Sequence, residues 1–168
     1  MTTVIGIDPS LSATGIATAA EAYTVPTSAG DPTRLAIIYT AVCVQATAPQ
    51  ATLAVVEDLP THAHGAGLTG MAQGVIRLAL IESQVPYVTV PAATLKKYAT
   101  GKGNATKADM RMAWFQRTGD DVRDDNQVDA LWLRQIGLAL LGEPSAISLP
   151  QTHTVALAKL SLPAGVAS

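Results

Sequence analysis

The sequence predicts a mixed α/β fold, a five-stranded sheet with helices on its faces. The first sign is two continuous apolar runs, Val4-Ile5-Gly6-Ile7 and Leu53-Ala54-Val55-Val56, the pattern of strands buried on both faces. The second is order: strand-like segments come first in hairpins and are later separated by helical patterns. The third is chemical. Both runs end in an acid, Asp8 and Glu57, and a third acid, Asp129, lies inside the apolar helical pattern Val128-Asp129-Ala130-Leu131-Trp132-Leu133.

Taken in order, residues 3–8 form the first strand, and the turn Pro9-Ser10-Leu11-Ser12 leads to a second over residues 15–19. So short a connection implies antiparallel neighbours. A third strand, weakly specified, falls around Tyr23–Val25. Asp31-Pro32 is the expected cap and first residue of a helix to about Ala46, with Leu35, Ile38, Val42 and Ala46 on its apolar stripe. Residues 52–57 make the next strand. A Gly-, His- and Pro-rich loop over 58–67 precedes a helix over 69–83, whose register is set by Met71, Val75, Leu78 and Ile81. The strand Tyr87–Val90 ends at Pro91, and Ala92–Tyr98 makes a short helix. The Gly101-Lys102-Gly103-Asn104 link joins it to a basic amphipathic helix over 106–117, and Asp125–Leu141 forms a last long helix. Residues 1–143 thus read as one domain. Pro144 and Pro150 bracket a linker, and residues 151–168 a tail that frays into Pro-Ala-Gly.

A chain of 168 residues is long enough to bury roughly 70% of its unfolded surface in one domain. With 48% hydrophobic and 14% charged residues it is globular, and with 4% aromatics its core must be aliphatic. The single Cys43 excludes an internal disulfide and any cysteine-rich metal site, and its apolar helical setting predicts a small buried hydrophobe. No basic segment followed by a long apolar run opens the chain, and no stretch reaches the ~18 uninterrupted apolar residues of a membrane span. The expectation is a soluble cytoplasmic protein with no membrane partner.

Charge is unevenly spread. Lys96, Lys97, Lys102, Lys107, Arg111 and Arg117 crowd residues 92–117 against Asp109 alone, and Asp120, Asp121, Asp124 and Asp125 follow closely. Cations that hold phosphates beside carboxylates that hold metal are what a nuclease needs. A solvated face of mixed charge is the ordinary alternative.

An acid at the end of a buried strand reaches the crevice at the sheet edge where α/β folds bind ligands. If the two acid-tipped strands lie parallel and adjacent, Asp8 and Glu57 emerge together. Asp125 or Asn126, about one helical turn before Asp129, shares its face. Carboxylates at close range repel unless a cation neutralises them. A pocket of oxygen ligands suits Mg²⁺, with Mn²⁺ as a substitute, and two such ions suit phosphodiester hydrolysis. Each acid also has a plain alternative: a turn cap for Asp8, a loop start for Glu57, and helix N-caps for Asp124 and Asp125. His62 and His64 alternate as zinc ligands do, but no third soft ligand lies nearby, so backbone contact or solvent exposure is the better reading. Trp114 and Trp132 fall on apolar helical faces and are read as core rather than as base-stacking groups.

Gly6-Ile7-Asp8-Pro9 with Thr14-Gly15, Val56-Glu57, Pro91-Ala92 through Lys107, and Val128-Asp129-Ala130-Leu131 together resemble RuvC-type Holliday junction resolvases. The resemblance spans residues 3 to about 140, in the family's order, and looks closest to the shorter resolvases carried by phages. It implies an RNase H-like fold, and Asp8, Glu57 and Asp129 as Mg²⁺ ligands at a site for two ions. The family's fourth ligand, an acid or histidine, falls on Asn126, with Asp125 one residue earlier, so the choice between the two stays open. Lys96 and Lys107 match basic positions near the scissile phosphate, and Lys97, Lys102 and Arg111 are expected to hold DNA backbone. Where the family has an aromatic three residues after the second acid, this chain has Pro60. The helix after the loop is where these enzymes pair into homodimers, and Gly70, Ala72, Gly74 and Ala79 would permit close approach, although small residues also serve packing within a subunit.

The expectation is a metal-dependent endonuclease that cuts four-way DNA junctions as a symmetric dimer, in the cytoplasm of a bacterial host if phage-encoded. The same site in an RNase H-like core could act on RNA–DNA hybrids or flaps. A sugar-kinase or chaperone-type ATPase also opens with a strand, Gly-Ile-Asp and a turn, but needs a second, similar half. An idle DNA-binding module would have no use for Asp8, Glu57 and Asp129.

Overall fold

In the computed structural model, which describes residues 2–28, 30–47, 49–59 and 66–166, five strands form one mixed sheet in the order β3-β2-β1-β4-β5. Strand β1 (Val4–Asp8) is central, with β2 (Ala13–Ala17) antiparallel on one side and β4 (Leu53–Glu57) parallel on the other. Strand β3 (Ala22–Pro26) extends the hairpin, and β5 (Tyr87–Val90) closes the parallel edge. The expected fold class holds, strand for strand. Strand β2 starts two residues early because the Thr14 hydroxyl donates to the Ser10 carbonyl at 2.5 Å and tightens the turn. It ends early because the Thr18 amide turns back onto the Glu21 carbonyl.

The two faces of the sheet are covered by different helices. Ile5, Ile7, Ala54 and Val56 point to the layer of α1 (Arg34–Thr47) and α2 (Ala66–Glu82). Val4, Leu53 and Val55 point to α3 (Ala92–Thr100), α4 (Lys107–Thr118) and α5 (Asp125–Leu140). Two-sided burial is why these strands read as unbroken apolar runs.

Three expectations need correction. Helix α1 begins at Arg34, because the Asp31 carboxylate accepts from the Thr33 amide and hydroxyl and forms a local turn instead of a cap. In α2 the inward residues are Ala72, Ile76, Ala79 and Leu80, while Met71, Leu78 and Ile81, expected inside, are exposed. The inner face combines Ile76 and Leu80 with the small Ala72 and Ala79, and a second apolar stripe of similar bulk is left outside. The segment expected as a linker and fraying tail is packed: α6 (Gln151–Thr154) and a 3-10 turn (Val155–Lys159) lie on α3, with Ile147, Leu149, Leu157, Leu160 and Leu162 against the core. Its anchor is His153, a buried side chain whose Nδ1 donates to the Tyr98 carbonyl at 2.8 Å. Among the described residues no helix is long and apolar enough to cross a membrane. Pro60, His62 and His64 lie outside the described residues.

Candidate active site

Alternation along a strand decides where the first two acids point. Val4, Gly6 and Asp8 share one face of β1, and Leu53, Val55 and Glu57 share the same face of β4. The parallel register runs Val4↔Leu53 to Ile7↔Val56, so Asp8 and Glu57 stand side by side one step further on. Both leave the sheet toward α5. The Glu57 carbonyl accepts from Gln73 Nε2 at 2.7 Å, and the Asp58 amide donates to Val90 at 2.8 Å, which fixes this strand end.

Helix α5 brings Asp129 to them because the sheet beneath it lacks side chains. A Cβ at Gly6 would overlap the Ala130 carbonyl oxygen and lie 2.5 Å from the Arg134 amide nitrogen; one at Gly15 would overlap the Asn126 carbonyl, 2.6 Å from its carbon. Backbone therefore lies on backbone. Asp124 caps the helix, accepting from the Asn126 and Gln127 amides, and its other oxygen takes the Thr24 hydroxyl at 2.7 Å. Asp124 is thus a cap tied to β3, and Asn126 Nδ2 donates to it at 3.2 Å instead of turning to the other acids.

Aromatic packing delivers the cations. Trp132 is fully buried, meets Trp114 edge-on at 5.3 Å and Tyr98 at 6.1 Å, and donates its indole N–H to the Met110 carbonyl at 3.3 Å. Both tryptophans are core, as expected, and together with Tyr98 they dock α3 and α4 on α5. A capping box between Thr106 and Asp109 starts α4, so that Lys107 is its first residue. A cation at that end opposes the helix dipole, a placement that packing alone does not require.

The outcome is a cleft of about 240 Å³ lined by Asp8, Glu57, Lys96, Lys107 and Asp129. Lys107 Nζ is 3.5 Å from Asp125 Oδ2, and Arg111 Nη1 is 3.9 Å from Asp125 Oδ1. Asp125 is thereby joined to the cleft through Lys107. Lys97 and Lys102 are exposed and do not line it. A larger hollow beneath the β2–β3 turn, flanked by Gln127, Leu131 and Arg134, lies across α5 from the acids and contains none of the three.

Burial, then the charges of Glu57 and Asp129, push Asp8 well above the usual carboxylate range. Burial, with the charge of Asp129 added, raises Glu57 to about 7, and burial raises Asp129 to about 6. Lys107 opposes the rise at all three acids, and Lys96 opposes it at Glu57 and Asp129. Three partly buried carboxylates set against each other in one cleft are a site short of positive charge. Among the described residues no three His, Cys, Asp or Glu side chains stand in a ready-made cage. The donor chemistry nevertheless fits a hard divalent cation, and Asp125 Oδ1 is a buried acceptor with no hydrogen-bond partner.

No family model and no curated protein sequence matches the chain. Solved structures do. A Thermus thermophilus RuvC structure is 23% identical with a TM-score of 0.71, covering 88% of this chain and 100% of that one. The T. thermophilus RuvC in complex with Holliday junction substrate is 24% identical, also with a TM-score of 0.71, over 89% and 100%. The chain has the RuvC fold. That fold is the RNase H-like arrangement expected from the sequence.

Sequence reasoning passed over two residues that shape the site, and gave a third, Thr14, no role of its own. Gln73 holds the end of β4, Thr24 holds the start of α5, and Thr14 closes the turn after Asp8. Each acts through a hydrogen bond between segments that only folding brings together, save Thr14, whose four-residue spacing from Ser10 was a local clue.

Proposed function

We propose that this protein is a metal-dependent endonuclease that cuts branched DNA, resolving four-way junctions as a symmetric homodimer. The observation that carries the reading is the convergence of Asp8, Glu57 and Asp129 with Lys96 and Lys107 in one cleft. Asp8, Glu57 and Asp129, with Asp125, joined to the cleft through Lys107, as the further donor, would hold Mg²⁺ or Mn²⁺, and two such ions would supply an activated water and a charge-stabilised leaving oxygen. Asn126 is the weaker choice, because its side chain is turned to Asp124.

The chain's own groups do the rest. Lys107 offsets negative charge that builds on the phosphate in the transition state. Lys96, across the cleft, steadies the same phosphate. Lys97, Lys102 and Arg111 lie on the approach and hold the backbone, so binding weakens steeply with salt. The exposed apolar stripe on α2, Leu68, Met71, Leu78 and Ile81, is the surface through which two copies would pair, presenting two clefts to a substrate of matching symmetry. The likeness to a RuvC solved with a Holliday junction supports four-way DNA as the substrate.

The test is a panel of labelled four-way, three-way, flap, linear and RNA–DNA hybrid substrates in Mg²⁺, with products mapped. Paired cuts in opposed strands of the four-way junction are expected, and Asp8→Asn should bind it but leave it whole. Preferential cutting of the hybrid would replace this reading with a ribonuclease.

A further inference from the structure

Helix α4 buries Met110 and Trp114 against α5, and on its outward side carries the chain's one phenylalanine. Phe115 is 48% exposed and Met112 is 55% exposed. With Ala108 and Arg111 they line a hollow of about 440 Å³. Scattered exposed apolar side chains need no explanation. These two belong to the helix that places Lys107 in the acid cleft. Lys107, Arg111 and Phe115 follow at four-residue intervals, a stripe leading out of the cleft over about 12 Å of helix, the span of three to four stacked nucleotides. Basic groups surround it: Arg111 on the hollow itself, 3.9 Å from Asp125, and exposed Lys102 and Arg117 beyond Met112 beside Asp109, while Asp121 at the rim is paired with Arg123 at 3.1 Å. Such a fringe suits a polyanion with apolar faces better than an apolar protein partner, for which α2 offers the cleaner surface. The platform is also rigid, capped at one end by Thr106 with Asp109 and at the other by Gly119.

We propose that Phe115, backed by Met112, is a stacking platform for an unpaired nucleobase two to four nucleotides from the cut, with Arg111 holding the intervening backbone. The assignment rests on the nuclease reading above and adds a source of selectivity to it. An aromatic face takes any base, and a branch point offers unstacked bases where a linear duplex offers none. The consequence is preference for branched structure, not for sequence.

The experiment uses the full chain in EDTA, so that no strand is cut. A synthetic four-way junction and a linear duplex of the same sequence carry 2-aminopurine at successive positions from the branch. Wild type should quench or shift 2-aminopurine at a confined set of junction positions and at none in the duplex. Phe115→Ala should abolish that signal and weaken junction binding roughly ten- to hundredfold, with duplex binding and Tm unchanged. Phe115→Trp should restore both. The assignment is overturned if Phe115→Ala binds the junction like wild type, if it loses junction and duplex equally, or if it alters the oligomeric state, which would give this face to a protein contact. Wild type that binds no branched DNA defeats the nuclease reading as well. Wild type that binds branched DNA with no dependence on Phe115 defeats this assignment alone.

Discussion

Gly6 lies directly beneath Ala130, so closely that a methyl group on Gly6 would overlap the Ala130 carbonyl oxygen. Ala130 follows Asp129, and Gly6 is two residues before Asp8 on the same strand face. Removal of one side chain therefore fixes how near two acids from distant parts of the chain can come. Gly6→Ala should force α5 off the sheet, costing about 1–3 kcal/mol as overpacking does. It should also lower cleavage far more than that stability loss implies. Urea denaturation and cleavage rates at a temperature where the variant stays folded check both; unchanged activity would remove this contact from the account.

The acids set a pH dependence with a definite sign. Glu57 at about 7 and Asp129 at about 6 stand above their ordinary values of 4.5 and 3.8. Between about pH 4 and 7 the native protein thus binds more protons than the unfolded chain. Without divalent ions the stability from these groups is complete below about pH 4 and is lost as pH rises through 6 and 7. The metal-free protein should lose on the order of 3 kcal/mol between about pH 5 and 8, read as a falling Tm. Mg²⁺ should restore Tm at the upper end and do little at the lower. Asp8→Asn should flatten the profile and raise Tm near pH 8. A metal-free Tm that climbs over this range contradicts the electrostatics described.

The α2 stripe predicts a separable effect. Leu78 and Ile81 are 49% and 61% exposed, so Leu78→Asp with Ile81→Asp should leave the fold of one subunit intact. Light scattering should then show monomers where wild type gives dimers. Four-way junctions should be nicked singly, and the paired cut lost. A wild-type monomer at micromolar concentration would end the dimer proposal.

The packed tail gives a further prediction. His153 Nδ1 donates to the Tyr98 carbonyl at the end of α3, and its ring lies against Gly101, which takes a left-handed turn at φ 82° before Lys102. His153→Ala removes a buried donor and its packing, at a cost of about 1–3 kcal/mol. Amides of residues 101–104 should exchange faster, and DNA binding should weaken through Lys102 with the cleavage rate of bound substrate little changed. Exchange rates equal to wild type would mean that the tail does not hold this link.

Much of this was legible in the sequence because it depends on local pattern. Two-sided apolar runs gave β1 and β4, and the acids at their ends pointed to a common cleft. A basic helix beginning near Thr106 announced Lys107. The register of α2 was not legible: the helix carries apolar residues on two sides, Ile76 and Leu80 on the face that is buried and Leu78 and Ile81 on the one that is not, and only packing chooses between them. The tail misled for a similar reason. Its proline brackets and sparse leucines look like a linker until the α3 surface that receives His153 exists.

By itself the sequence determined the sheet, the order of its elements and the identity of the three acids, since strand alternation and apolar periodicity are properties of neighbours along the chain. Tertiary structure alone decided that Asp125 pairs with Lys107 while the Asn126 amide turns to Asp124, and that Phe115 and the α2 stripe remain exposed. It also decided how far Asp8, Glu57 and Asp129 are driven from ordinary acidity. Those outcomes depend on burial and on charges far away in sequence, which become neighbours only when α5 settles onto Gly6 and Gly15.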